Sequence, residues 1–299
     1  MEEIRDRNGL TEEEFLRQYK PGDYERPSVA ADMVIFTVTE EEEENYRKLP
    51  EKELRVLLIQ RGGHPYLGCW ALPGGFVRPV ETTEQAARRE LKEETGVDQV
   101  YLEQLYTFSD LGRDPRTWVM SCSYMALIDG TKVQVEAGDD ADNAAWFSLT
   151  CPMVEEITEK KDGKIIKRQR FRLELRHKST VLKSTVDKVT TKEVSGQSCE
   201  YTILENDGLA FDHAKIIAYA VERLRGKLEY TDLALHLMPE QFTLTQLQQV
   251  YEVILDKTLL KAAFRRKAAD LVEETGFFTE KEGHRPSRLY RRKMEDENG

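Results

Sequence analysis

Nothing in these 299 residues supplies a membrane anchor or a disulfide frame. Cysteine is scarce: four residues, at 69, 122, 151 and 199, with no CxxC pair. That spacing excludes a small stapled fold and points to free thiols in a reducing cytosol. No apolar run approaches the roughly 20 residues of a membrane span. The opening MEEIRDRNGLTEEEF is acidic and lacks an apolar core, so it is no signal peptide. There is no internal repeat, and the only biased tract is the short glutamate run from Glu40 to Glu44. A cytoplasmic protein with no membrane partner is expected.

Positive charge is also short overall. The net charge is −11, which argues against indiscriminate coating of nucleic acid. The deficit is uneven, however. From Lys257 to Lys293, eleven Lys/Arg face five Asp/Glu, a local excess of +6. A basic patch on an acidic chain is a directional signal.

The length allows two domains. A short helix at about 11–18 is followed by a strand at 31–38, an exposed insertion at about 40–53 and a strand at 55–61. Further strands are expected at 100–108, 118–128 and 145–149. Residues 153–205 alternate β-branched and charged residues, as in Phe171, Leu173 and Leu175, and predict one or two inserted or appended hairpins. The texture turns helical from Phe211. His213–Leu228 carries apolar spacing at Ile216, Ala220 and Leu224. Thr243 with Gln246 forms a capping box ahead of a helix to about Leu255. A break at 256–258 precedes a helix over 259–274, closed by Gly276. A two-stranded wing follows, with its turn near Gly283. The division expected is residues 1–208 and 209–299.

The densest information lies in GFVRPVETTEQAARRELKEETGV, Gly75 to Val97. Glu90, Glu93 and Glu94 fall within about 100° of one helix face. Like charges so close repel, and a hard divalent cation with a taste for oxygen ligands relieves them. Thr82 with Gln85 caps the helix and Gly96 stops it. Ala87 and Leu91 form the apolar seam beside the acids. Leu72-Pro73-Gly74-Gly75 is a turn able to bring backbone carbonyls to an ion. A solvated charged helix is the bland alternative, but it does not require this spacing.

The segment resembles the Nudix box, G-x5-E-x7-R-E-U-x-E-E-x-G-U, at every fixed position. The resemblance implies an α/β fold, an α/β/α sandwich with a mixed sheet. It also implies hydrolysis of a nucleoside diphosphate linked to another moiety, by water with Mg²⁺ or Mn²⁺. Carried over, Glu90 and Glu94 are direct metal ligands and Glu93 a further one, partly through water. The Gly75 carbonyl reaches the ion, Arg89 orients the glutamates and Glu81 supports the loop–helix geometry. One acid from a later loop completes such sites; Asp140 is the candidate, with Glu136 and Asp139 as alternatives.

Substrate contacts are expected from the loop 109–116. Arg113 and Arg116, with Asp114 between them, offer guanidinium forks for phosphate or ribose. Phe76, Tyr66 and Trp70 offer faces for a base. DYERPSVAADMVIF, SDLGRDPRTWV and GDDADNAAWF resemble the ADP-ribose-associated branch of the family. LAFDHAKIIAYAVERLRGKLEY and the tail through GHRPSRLYR are similar to the winged-helix portion of Nudix-related transcriptional regulators of NAD or sugar metabolism. The resemblance covers most of the chain except 40–53 and 153–205.

The helix–break–helix–wing order fits an α+β winged helix-turn-helix. On 259–274, Leu260, Phe264, Ala268 and Leu271 are expected inside, with Ala262, Arg265, Arg266 and Ala269 outside. Lys261, Arg265 and Arg266, with Lys281, Arg285 and Arg288 of the wing, are the candidate contacts to double-stranded DNA. Three functions stay open: a metal-dependent hydrolase of ADP-ribose or a related nucleotide sugar, which the complete box favours; a DNA-binding regulator that senses such a ligand; and a hydrolase whose second domain only dimerises. A homodimer is expected in each.

Overall fold

The computed structural model describes residues 4–40, 51–132, 144–279 and 286–293. The expected turn at Gly283, Lys281, Arg285, most of the 40–53 insertion, and the acids Glu136, Asp139 and Asp140 lie outside them.

Thr11 caps the first helix, α1 (Glu12–Gln18), with a full capping box. The central strand is β1 (Ser28–Glu40). It pairs antiparallel with β2 (Lys52–Gln60) on one side and parallel with β6 (Val119–Asp129) on the other, so the sheet is mixed. Between these lie two short strands, β3 (Trp70–Ala71) and β4 (Gly74–Phe76), then α2 (Thr83–Thr95) and β5 (Tyr101–Phe108). β7 (Ala144–Thr150) adds to the far edge of β2.

The run Met33-Val34-Ile35-Phe36 does not alternate in polarity because both faces of β1 are covered. Met33 and Ile35 point to one face with Leu57, where Ala86, Ala87 and Leu91 of α2 pack on them. Val34 and Phe36 point to the other, under α3 (His213–Lys227) and α4 (Leu244–Leu255). This is the expected α/β/α sandwich. The helix α2 has its predicted Thr82–Gln85 box and ends with Gly96 in the left-handed conformation at φ 70°.

Residues 153–205 extend the same sheet. They form β8 (Met153–Lys161), β9 (Lys164–His177), β10 (Thr180–Glu193) and β11 (Gly196–Asp207). β9 joins the main sheet by pairing with β7, Ser148 opposite Arg176. Phe171, Leu173, Leu175 and Val186 are buried in the common core.

The second half has the expected order. Thr243 and Gln246 cap α4, Asp256 ends it in the left-handed conformation, and α5 (Lys261–Ala268) follows. The wing is β12 (Val272–Phe278) with β13 (Arg288–Arg292), tied to the body where Phe242 and Tyr290 exchange backbone hydrogen bonds of 3.0 and 2.8 Å. The helix expected over 259–274 is therefore much shorter. Val272 is buried and pairs with Arg292 in the wing, so the ladder takes the residues that a longer helix needs. Leu260, expected inside, is 81% exposed and stands outside the helix at its N-cap. Phe264 and Ala268 are the two buried residues of α5, and Leu271 is half-buried beyond its end. The Phe264 ring meets Tyr251 of α4 edge-on at 5.2 Å.

The expected boundary at 209 falls before α3, yet α3 packs on the sheet with its buried stripe Ile216, Ile217, Ala220, Val221 and Leu224. The same core includes Tyr251 and Phe264, so it runs unbroken from the sheet into the winged half. No helix among the described residues is long and apolar enough to cross a membrane, and all four cysteines are free thiols.

Candidate functional site

The box loop is pinned to the central strand. β4 pairs antiparallel with β1, Gly75 opposite Ala31, and the Met33 N–H donates to the Pro73 carbonyl at 2.8 Å. Gly75 leaves the space that the Glu90 carboxylate fills. A Cβ there would lie 2.1 Å from Oε1 of Glu90. This contact brings the Glu90 carboxylate to the loop whose carbonyl the resemblance places at an ion.

Arg89 organises the acids. Its Nε and Nη2 donate to the two oxygens of Glu81 at 3.1 and 2.8 Å, and Nη1 donates to Glu90 at 2.6 Å and Glu93 at 3.4 Å. Glu81 also accepts from the Arg78 N–H at 2.9 Å. The Arg89 bonds, then this backbone bond, hold the Glu81 carboxyl down at about 2. Glu94 is different. It accepts no hydrogen bond among the described residues; burial first, then the neighbouring charges of Glu90 and Glu93, raises its pKa.

These residues suit a hard divalent ion chemically. The donors are carboxylate oxygens, and one of them is destabilised by its own charge. Glu94, Glu90 and Glu93 are the groups that would hold it. They do not converge unaided: among the described residues, no three His, Cys, Asp or Glu side chains are placed to hold a metal ion. Arg89 occupies part of the space between Glu90 and Glu93.

Next to the glycines lies a cavity of about 180 Å³, lined by Gly74, Gly75, Phe76, Arg113, Asp114 and Arg116, with Asp32, Arg61, Phe211 and His213 closing it. Arg116 donates twice to Asp114, Nε at 3.0 Å and Nη2 at 2.7 Å. Its guanidinium lies 5.3 Å from the Phe76 ring centre and 5.7 Å from that of Phe211. Arg113 is buried. It donates to Asp212 at 3.0 and 2.7 Å and lies 3.5 Å from Asp32. Burial opposes its charge, but the two carboxylates outweigh burial and raise its pKa. Of the expected substrate residues, Phe76, Asp114 and Arg116 thus meet at one cavity, and Arg113 is its buried floor. Tyr66 meets Phe211 at a tilt of 59°, ring centres 4.7 Å apart.

In the sequence, Phe211 and Asp212 stand only where the texture turns helical and His213 only as the first residue of that helix, with no sign of a role at the cavity. An Asp at the head of a helix reads as an N-cap, yet Asp212 makes no capping bond. Its oxygens go to Arg113 instead. His213 is buried, and its Nδ1 accepts the Leu72 N–H at 2.8 Å.

In the winged half, Lys261, Arg265 and Arg266 are exposed on α5, and the two arginines make no ion pair among the described residues. Arg288 is committed to Glu274, its Nη1 lying 2.7 and 2.6 Å from the two oxygens.

A Nudix sandwich joined to a winged helix defines a narrow class of protein, and the comparisons bear this out. The NUDIX domain model matches residues 30–169, and the NrtR DNA-binding winged helix domain model matches 234–292. A protein of Acinetobacter baylyi named as an ADPR responsive transcriptional repressor is 33% identical over 97% of this chain and 91% of its own length. An ADP-ribose pyrophosphatase of Methanocaldococcus jannaschii is 40% identical over 45% of this chain and 68% of its own. The crystal structure of NrtR from Shewanella oneidensis with a 27mer DNA has a TM-score of 0.57 at 30% identity, covering 89% of this chain and 93% of that one. The chain belongs to the Nudix family, in the NrtR branch that carries a C-terminal winged helix.

Proposed function

We propose that this protein is a DNA-binding transcriptional repressor whose Nudix half takes ADP-ribose as its effector. The observation that carries the reading is the cavity in which the Arg116 guanidinium faces both Phe76 and Phe211 beside Gly74 and Gly75. A nucleoside diphosphate presents a planar base and an anionic bridge, and such a cavity offers rings for the one and a cation for the other. Likeness to the Acinetobacter baylyi repressor over nearly the whole chain supports pairing this effector with DNA. On α5, Arg265 and Arg266 face outward without carboxylate partners among the described residues, as a helix entering a major groove requires. Two copies on two half-sites are the expected bound state.

A second activity, hydrolysis of the same ligand, is favoured by the intact box. Glu90, Glu93 and Glu94 would hold Mg²⁺ or Mn²⁺, which would stabilise charge developing on the diphosphate. Within the chain, Glu81 holds Arg89, and Arg89 holds Glu90 against Gly75.

The deciding experiment incubates the protein with ADP-ribose, with and without each metal, and measures AMP and ribose 5-phosphate beside calorimetric binding. Metal-dependent product makes the Nudix half an enzyme as well as a receptor, and Glu94→Gln then abolishes turnover while sparing DNA binding. Heat of binding without product leaves a receptor. Neither heat nor product removes ADP-ribose from the reading.

A further inference from the structure

Phe211 and His213, at the head of α3, line the effector cavity, and Asp212 between them reaches it through Arg113; each has a second commitment. Phe211 stands at φ 52°, a conformation that non-glycine residues seldom adopt. Its ring is covered by Tyr66 at 4.7 Å and by the Arg61 guanidinium at 4.9 Å. Asp212 leaves its own helix uncapped to hold Arg113. His213 takes the N–H of Leu72, two residues before Gly74. The start of α3 is therefore built into the same loops that shape the cavity.

The far end of α3 is built into the winged half. Arg225 donates to the Ile254 carbonyl in the last turn of α4 at 2.7 Å and to the Cys151 carbonyl at 2.8 Å. Just beyond α3, the Leu228 carbonyl accepts from Lys267 of α5 at 2.6 Å. Fifteen helical residues span about 22 Å. One helix thus touches the cavity with its first residues and both DNA-side helices with its last.

We propose that Phe211 and Asp212 are the residues that read the effector, and that α3 carries the result to α4 through Arg225 and to α5 through Lys267. The inference rests on the reading of ADP-ribose as the cavity's ligand. An anion seated beside Arg116 competes with Asp212 and Asp32 for the Arg113 guanidinium, and a base seated beside Phe76 competes with Arg116 for the Phe211 ring. Both effects act on residues 211 and 212, so the filled and empty cavities favour different settings of the α3 head. A ligand shifts such an equilibrium only by its difference in affinity for the two settings. Because the helix is packed along its length and bonded at both ends, a changed head moves the tail.

The test follows backbone amide exchange by mass spectrometry on the full-length protein, with and without saturating ADP-ribose, alongside calorimetry. Expected are severalfold changes in exchange at the head of α3 and, in the same experiment, over Lys261–Ala268. Lys267→Met is expected to keep the ligand affinity and the change at 211–216 while losing most of the change in α5. This variant removes the bonds of Lys267 to the Leu228 and Glu229 carbonyls and keeps an aliphatic chain of similar length over the Tyr251 ring. Heat of binding with exchange in α5 unaltered in the parent protein overturns the inference and leaves the effector reading standing. An α5 response undiminished in Lys267→Met overturns the route through Lys267 and Leu228. Absence of any heat overturns both the effector reading and the inference built on it.

Discussion

Adjacent glycines in the box loop do different work. A Cβ on Gly74 would fall 2.5 Å from the Ala31 carbonyl oxygen and 2.8 Å from the Asp32 Cα, both backbone atoms that cannot step aside. A Cβ on Gly75 would meet only the carboxylate end of Glu90, a flexible side chain held there by Arg89. Gly74→Ala is therefore expected to lower stability by about 1–3 kcal/mol, the usual range for overpacking. Gly75→Ala is expected to cost well under that while displacing Glu90 from its place. Denaturant melts of both variants check the order, and equal losses would show that Glu90 is held more rigidly than its bond to Arg89 suggests. His213 gives a pH dependence of definite sign. Burial, first of all, depresses its pKa below 6.5, with Arg113 and Arg61 acting the same way and Asp32 and Asp212 opposing. The unfolded chain takes up a proton at higher pH than the fold does. The stability due to His213 is thus present above about 6.5 and lost as pH falls further. Unfolding titrations from pH 8 to 5 on the parent and His213→Gln measure it. His236, whose pKa burial also lowers, is common to both proteins, so the difference in slope belongs to His213.

Among the elements, α5 shows how tertiary pairing overrides a helical pattern. The periodic run Leu260, Phe264, Ala268, Leu271 predicts a helix of sixteen residues, but within α5 only Phe264 and Ala268 are buried, and Leu271 packs on the core beyond the helix end. The wing ladder takes Val272–Glu274, and Leu260 is left in solvent. Capping signals fared better because they are local: Thr82 and Thr243 each close the expected box within three residues of the helix start, and Thr11 closes a third. The short α5 still presents Arg265 and Arg266. Arg265→Ala with Arg266→Ala is expected to weaken duplex binding and to reduce the salt dependence by about 0.9 in slope for each phosphate no longer neutralised. A salt titration against duplex DNA measures both. An unchanged affinity and slope would move the DNA surface away from this helix. The wing's contribution is harder to isolate, since Arg288 and Arg291 already pair with Glu274 and Glu273 at distances down to 2.6 Å.

At the scale of the whole molecule, the two halves share one core. Phe147 and Leu173 of the sheet, Ile216 of α3, and Tyr251 and Phe264 of the winged half belong to a single buried cluster. The four strands of 153–205 continue the same sheet. A single cooperative unfolding transition is expected. The three tryptophans, at 70, 118 and 146, all lie in the Nudix half, whereas most helical residues lie from 213 onward. Fluorescence therefore reports the sheet, and far-ultraviolet dichroism gives more weight to the helices from α3 onward. Coincident midpoints are expected, and a helical loss that precedes the fluorescence change would mean that the winged half melts alone.

The sequence by itself determined the Nudix box and its helix, the mixed α/β character, the hairpins of 153–205 and the helix–break–helix–wing order. These signals are short-range: spacing on one helix, a cap within three residues, alternation along one strand. Only the tertiary structure decided that Arg113 is buried under Asp212 and Asp32, that Phe211 closes the cavity, and that α3 belongs to the sheet while touching the winged half. Those facts join residues about a hundred positions apart, as Arg113 and Asp212 are. No local pattern encodes such a meeting, because it depends on which faces the packed layers bring together.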